Sequence, residues 1–120
     1  MIRAYRLYTG PDGHSHVVRG SITNHETVKA ISIHFEESPP HSSLDWHNAP
    51  TTQYVITLSG ALEFVTHGGE SFTINPGEIL IALDTTGTGH KWRLLNDEPW
   101  RRGYVAFDKT VDLNFQPDNS

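Results

Sequence analysis

Tyr54-Val55-Ile56-Thr57-Leu58-Ser59-Gly60 decides the fold. Tyr54, Ile56 and Leu58 recur at every second position, the period of a strand whose successive side chains point to opposite faces. Gly60 ends the run, and Ala61 to Thr66 carries the chain back. His67-Gly68-Gly69-Glu70 then reads as a hairpin into Ser71 to Ile74. Asn75-Pro76-Gly77-Glu78 is a turn, followed by a further strand over Ile79 to Leu83.

The same grammar extends outward. Ile2 to Thr9 reads as an opening strand closed by Gly10-Pro11-Asp12-Gly13. Val28 to Glu36 alternates, with Ile31, Ile33 and Phe35 on one face and Ser32 and His34 on the other. Glu37 to Ser43 is a loop around Pro39-Pro40. Lys91 to Leu95 and Gly103 to Phe107 are the last strands, separated by Asn96-Asp97-Glu98-Pro99. Ser21 to Glu26 is ambiguous, and the polar tail from Asp108 to Ser120 drapes or frays. No helical apolar period is sustained anywhere. The sequence therefore predicts one all-β domain over residues 1–120, with its core at about 28–107, closed as a barrel or jelly roll.

With 120 residues the chain is long enough for a core without staples, and it has no cysteine. A metal site would have to use His, carboxylate, amide or water, which suits Mn, Fe, Co, Ni, Cu, Zn or Mg. Nine basic against 14 acidic residues argue against nucleic acid as a partner, and Arg101-Arg102 is too small a basic run to change that. No apolar stretch approaches the roughly 18 residues of a membrane span. The first residues lack the apolar core of a signal peptide, so the expected location is cytoplasmic. Eight histidines are a high count and point to metal or acid–base work.

Two polar clusters frame the central strands. The first is Asp45-Trp46-His47 with Gln53 beyond the Ala49-Pro50 bend; the second is Asp84-Thr85-Thr86-Gly87-Thr88-Gly89-His90. Asp45 and His47 are two apart and would share a strand face, with Gln53 offering a carbonyl oxygen to the same point. An alternative register puts Trp46 and Asn48 in those places. Asp84 to Gly87 also reads as a plain turn network. A phosphate loop at Gly87-Thr88-Gly89 is disfavoured because no helix follows it. His14-Ser15-His16 reads as surface, His67 as a solvent-facing hairpin tip, and His34 as either pocket-lining or exposed.

These clusters resemble the two motifs of the cupin superfamily. The first family motif is Gly, five residues, His-x-His, three or four residues, Glu, six residues, Gly. Gln53 followed after six residues by Gly60 matches its end. Its front departs: Asp45-x-His47 replaces His-x-His, five residues precede Gln53, and Pro39 replaces the leading glycine. In the second motif Gly77 fits the start and His90 the ligand, while Asp84 to Gly89 replaces Pro-x-Gly and Leu94 stands in place of Asn. The stretch over about 28–107 is similar to small single-domain bacterial cupins.

The resemblance implies a jelly-roll β-barrel enclosing a divalent metal (Fe, Mn, Ni, Co or Zn) on Asp45, His47, Gln53 and His90. His34 or Asp84 would then be the catalytic base, and Trp46, Tyr54, Trp92 and Tyr104 the walls of a small-molecule pocket. Isomerase, lyase or oxygenase chemistry on a polar metabolite is the leading expectation. A non-catalytic sugar- or acid-binding module and a metal-free structural barrel are the alternatives. The family also implies a homodimer, formed through a strand such as Ile2 to Thr9.

Overall fold

A computed structural model describes residues 1–118, and they fold into eleven strands with no helix. They are β1 (Ile2–Thr9), β2 (Ser15–Ile22), β3 (Ser32–Ser38), β4 (Ser43–His47), β5 (Gln53–Thr57), β6 (Leu62–Thr66), β7 (Ser71–Ile74), β8 (Ile79–Ala82), β9 (His90–Leu94), β10 (Trp100–Ala106) and β11 (Phe115–Pro117). Seven strands form one sheet in the order β11-β2-β1-β8-β5-β10-β3, and four form the other in the order β4-β9-β6-β7. No strand belongs to both sheets, so the architecture is a two-sheet sandwich rather than a barrel closed by hydrogen bonds. Among the described residues no helix is long and apolar enough to cross a membrane.

Alternation builds the layer between the sheets. On β6 and β9 every second residue is buried, which turns Leu62, Phe64, Trp92 and Leu94 inward against Val55 and Leu80 of the large sheet. Phe64 stacks on Phe72 at 5.3 Å and Phe72 on Tyr5 at 5.0 Å. Trp92 meets Trp100 edge-on at 4.7 Å. Such contacts contribute roughly 0.5–1.5 kcal/mol each beyond burial.

The large sheet has a second core on its outer face. Ala4, Tyr54, Ile81 and Phe107 are buried there beneath Val111, Leu113 and Phe115. The tail expected to drape or fray is thus structural over much of its length, since β11 pairs with β2 and the Tyr54 hydroxyl donates to Asn114 Oδ1 at 2.6 Å. The end of that segment, residues 119–120, lies outside the described residues.

Other expectations change too. Ser15 to Ile22, not foreseen as a strand, pairs with β1 along its length. β1 is bordered by β2 and β8, so Ile2 to Thr9 is not a free edge for pairing with another copy. Ser43 to His47 is strand rather than partly loop. Ile31, Ile33 and Phe35 share one face as read, but that face is exposed at 68%, 59% and 67%.

Candidate active site

The residues that matter converge because of a bulge and a tight loop. β4 pairs Leu44 with Trp92 and His47 with His90, so Asp45 and Trp46 together oppose the single residue Lys91. That extra residue breaks the two-residue period. Leu44 and His47 line the space between the sheets, while Asp45 is put on the outer groove with Glu63 and Lys91. The expected common face for Asp45 and His47 is therefore corrected. Trp46 also leaves the pocket: its ring stacks on His67 at 3.5 Å, and the Lys91 ammonium lies 5.0 Å from its centroid.

Past β8, Leu83 donates its backbone N–H to Leu7 O at 2.7 Å, and Asp84 O accepts from Ala49 N at 3.1 Å. The loop from Asp84 to Gly89 is pinned by Thr9 Oγ1 and Asn48 Nδ2, both donating to Thr86 O at 2.9 Å. Gly89 adopts φ +74°, and a Cβ there would run into the His47 carbonyl oxygen. Only glycine allows this approach, which seats His90 directly against His47.

Asp84 and His90 form a buried pair. Asp84 is fully buried and His90 is 4% exposed. His90 Nδ1 donates to Asp84 Oδ2 at 2.6 Å, and Ser15 Oγ donates to the same oxygen at 2.7 Å. Asp84 Oδ1 is buried and has no protein hydrogen-bond partner among the described residues. With Nδ1 committed, a neutral His90 has its lone pair at Nε2.

His47 repeats that arrangement without a carboxylate. Its Nδ1 donates to the Asp45 carbonyl at 2.8 Å, and its ring meets that of His90 edge-on at 4.4 Å. Burial holds the His47 imidazole below its ordinary pKa; the hydrogen bond to Asp45 opposes this, and neighbouring His90 adds to it. The balance favours the neutral imidazole over the imidazolium.

Both rings face a cavity of about 300 Å³ between the sheets. Its apolar walls include Val55, Phe64, Leu80 and Trp92, and Gln53, Tyr104, Glu36 and Arg102 are its polar members. Of the residues singled out in the sequence, Trp92, Tyr104 and Gln53 line this cavity. Tyr54 does not: it follows Gln53 directly in β5, so it points to the opposite face and packs on Phe107 at 4.9 Å. Asp84 lies behind His90 rather than in the cavity lining. His34 stands at the exposed rim, stacked on Tyr104 at 4.8 Å with Nε2 at 3.0 Å from Glu36 Oε2.

Sequence reading missed Ser15, Glu36, Trp100 and Arg102. Trp100, Arg102 and Tyr104 alternate on β10, and that period was the available signal for the last two. The His-x-His at 14–16 drew attention to its histidines, whereas the serine between them is the residue that reaches the site.

Among the described residues no group of three or more His, Asp or Glu side chains is placed to hold a metal ion. With Asp45 outside and Asp84 bound to His90, the expected donors left at the cavity are His47, His90 and the neutral amide of Gln53. This set does not fit the centre implied by the sequence resemblance, because its only carboxylate is gone.

No family model matches the chain, and no curated protein matches it. Among solved structures it is similar to protein NMB1881 from Neisseria meningitidis, with 14% identity and a TM-score of 0.46 over 72% of this chain and 88% of that one.

Proposed function

We propose that the sandwich is a cupin-type jelly roll whose cavity binds a small polar metabolite and catalyses proton transfer on it. The buried Asp84–His90 pair opening onto that cavity carries the reading. Hydrogen-bonded acid–base pairs at the wall of a cavity are characteristic of catalytic sites. His90 Nε2 takes a proton from a substrate carbon that bears a hydroxyl and adjoins a carbonyl, leaving an enediolate, and Asp84 stabilises the imidazolium through Nδ1. His90 then returns that proton to the former carbonyl carbon while the hydroxyl proton passes to the former carbonyl oxygen, an isomerisation that balances without an oxidant or reductant. Asp84 acts through His90 and is a positioning residue. His47 supplies a second neutral imidazole beside the reacting atoms, and the aromatic walls exclude water.

The test is solvent-deuterium exchange into a panel of small hydroxy- and oxo-carbonyl compounds, followed by NMR. Exchange into at least one compound is expected, falling about 10²–10⁴-fold in His90→Gln while the fold survives. No exchange with any compound, or exchange indifferent to His90→Gln, sinks the reading. Elemental analysis of untagged protein guards against the metal-dependent alternative. Stoichiometric Fe, Mn, Ni, Co or Zn that disappears in the His47→Ala/His90→Ala double variant would replace proton transfer with a metal centre.

A further inference from the structure

Arg102 is 5% exposed, an unusual depth for a guanidinium, and it lines the same cavity. Its hydrogen bonds are unequally distributed. Nε donates to the Tyr104 hydroxyl at 3.0 Å, and Nη1 donates to Ser38 Oγ at 2.8 Å and to Trp100 O at 3.0 Å. The guanidinium also lies 3.9 Å from the Trp100 ring centroid. Nη2 has only Glu36 Oε1 near it, at 3.7 Å, beyond hydrogen-bonding range, and the Glu36 side chain is 51% exposed. Both hydrogens of Nη2 are therefore unused by the hydrogen bonds that fix the rest of the group.

Tyr104 completes the arrangement. Its oxygen accepts from Arg102 Nε, so its own proton is free to donate. Burial raises its pKa, against the opposing pull of Arg102, and keeps the phenol protonated at neutral pH. A fixed cation and a neutral donor stand side by side, with the half-exposed Glu36 carboxylate 3.7 Å from Nη2. Their geometry is set by Ser38, Trp100 and His34, which packs on the Tyr104 ring.

We propose that Arg102 and Tyr104 clamp the carboxylate of a small organic acid, with Nη2 and the phenol hydroxyl each donating to one carboxylate oxygen. This assigns the substrate class and rests on the cavity being the binding site named above. The clamp and the base occupy separate parts of one cavity. Arg102 lies over Trp100, which packs on Trp92, and Trp92 is two residues along β9 from His90. Two packed indole rings thus lie between clamp and base, so the acid is anchored at one end of the cavity and deprotonated at the other. At about 300 Å³ the cavity is at the small end for ligand sites and fits a metabolite rather than a polymer.

Isothermal titration with short-chain and 2-hydroxy monocarboxylates, their primary amides and inorganic phosphate tests the clamp. At least one acid should bind about tenfold or more tightly than its amide, the discrimination expected of hydrogen bonds to a charged group. That preference should vanish in Arg102→Met and fall several-fold in Tyr104→Phe. If Arg102→Met does not fold, Tyr104→Phe decides alone: a reduced preference supports the clamp and an unchanged one overturns it. Absence of acid binding, equal binding of acid and amide, tighter binding of phosphate, or a preference that survives Arg102→Met each overturns it. His90→Gln should keep the acid preference while losing exchange. Acid binding without exchange in the wild type thus discards the proton-transfer reading alone, and exchange without acid preference discards the clamp alone.

Discussion

Of the three Asp–His pairs among the described residues, two lie in opposite surroundings and bear comparison. His90 meets Asp84 at 2.6 Å between the sheets, with side-chain exposures of 5% and 0%. His16 meets Asp12 at 2.9 Å beside the turn before β2, with exposures of 30% and 48%, and its other ring nitrogen reaches Glu70 at 3.0 Å. Water screens the second pair and competes for its hydrogen bonds, so its geometry carries little energy. In the first pair, groups removed from water depend on each other, and a single deletion strands the partner. Distance alone does not separate a site from an ornament; burial and the adjoining cavity do.

The largest effect that tests this contrast is expected from Asp84→Ala. It strands His90 Nδ1 and the Ser15 hydroxyl in the interior. Leaving a buried donor unsatisfied costs about 1–3 kcal/mol, to be read from the urea midpoint at constant slope. Asp84→Asn, which keeps an acceptor oxygen for His90, should cost less but still lower any exchange activity. A midpoint within error of the wild type for Asp84→Ala would erase the distinction between the pairs.

An intermediate effect concerns pH, where the buried and exposed histidines act with opposite sign. The folded chain protonates His47 less readily than the unfolded chain does, mainly because of burial. Stability from this residue is complete above the unfolded value of about 6.5 and declines as pH falls through it. His16 is shifted upward, chiefly by its hydrogen bond to Asp12. Its contribution is complete below about 6.5 and is lost as pH rises through the raised folded value. Denaturant midpoints measured from pH 5 to 8 should therefore lose part of their acid-side decline in His47→Gln and part of their alkaline-side decline in His16→Gln. Changes of the same sign in both variants would refute the assignment of His47 to a desolvated position.

How much of this was legible follows from where the two-residue period holds. β6, β7 and β9 obey it, and the sequence shows those strands and their inward residues plainly. The period also holds on β5 and β3, but there the apolar face is the outer one. Tyr54, Ile56 and Leu58 were read as the face that decides the fold, yet Gln53 and Val55 are the residues that turn to the cavity. A sheet with a polar cavity on one face and a second core on the other inverts the usual sign of the pattern. On β4 the bulge adds a residue that no composition signal marks, so Asp45 and Trp46 turn away from the cavity while His47, paired with His90, lines it with Gln53. Ser15 comes to Asp84 through the pairing of β1 with β8 and Arg102 to the cavity through that of β10 with β3, both between strands far apart in sequence, which local reading does not supply.

The smallest expected effect belongs to the exposed pair and completes the comparison. Asp12 holds its carboxyl below the usual range because it accepts the backbone N–H of His14 at 3.0 Å and bonds the His16 ring. Asp12→Asn keeps an oxygen for the His14 N–H and removes only the charge facing His16. Its urea midpoint at pH 7 should match the wild type within error, and carboxylate binding in the cavity should be unchanged. NMR titration should nonetheless move the His16 pKa downward in Asp12→Asn, since the hydrogen bond to Asp12 is the main cause of its elevation. Added salt should produce the same downward movement in the wild type, because screening acts on exposed charges. A large stability loss in Asp12→Asn would mean that the turn at 10–13, whose Gly13 carbonyl accepts from Thr88 N at 3.0 Å, transmits strain into the 84–89 loop. The two pairs would then be one structural unit, and the contrast drawn from burial would fail.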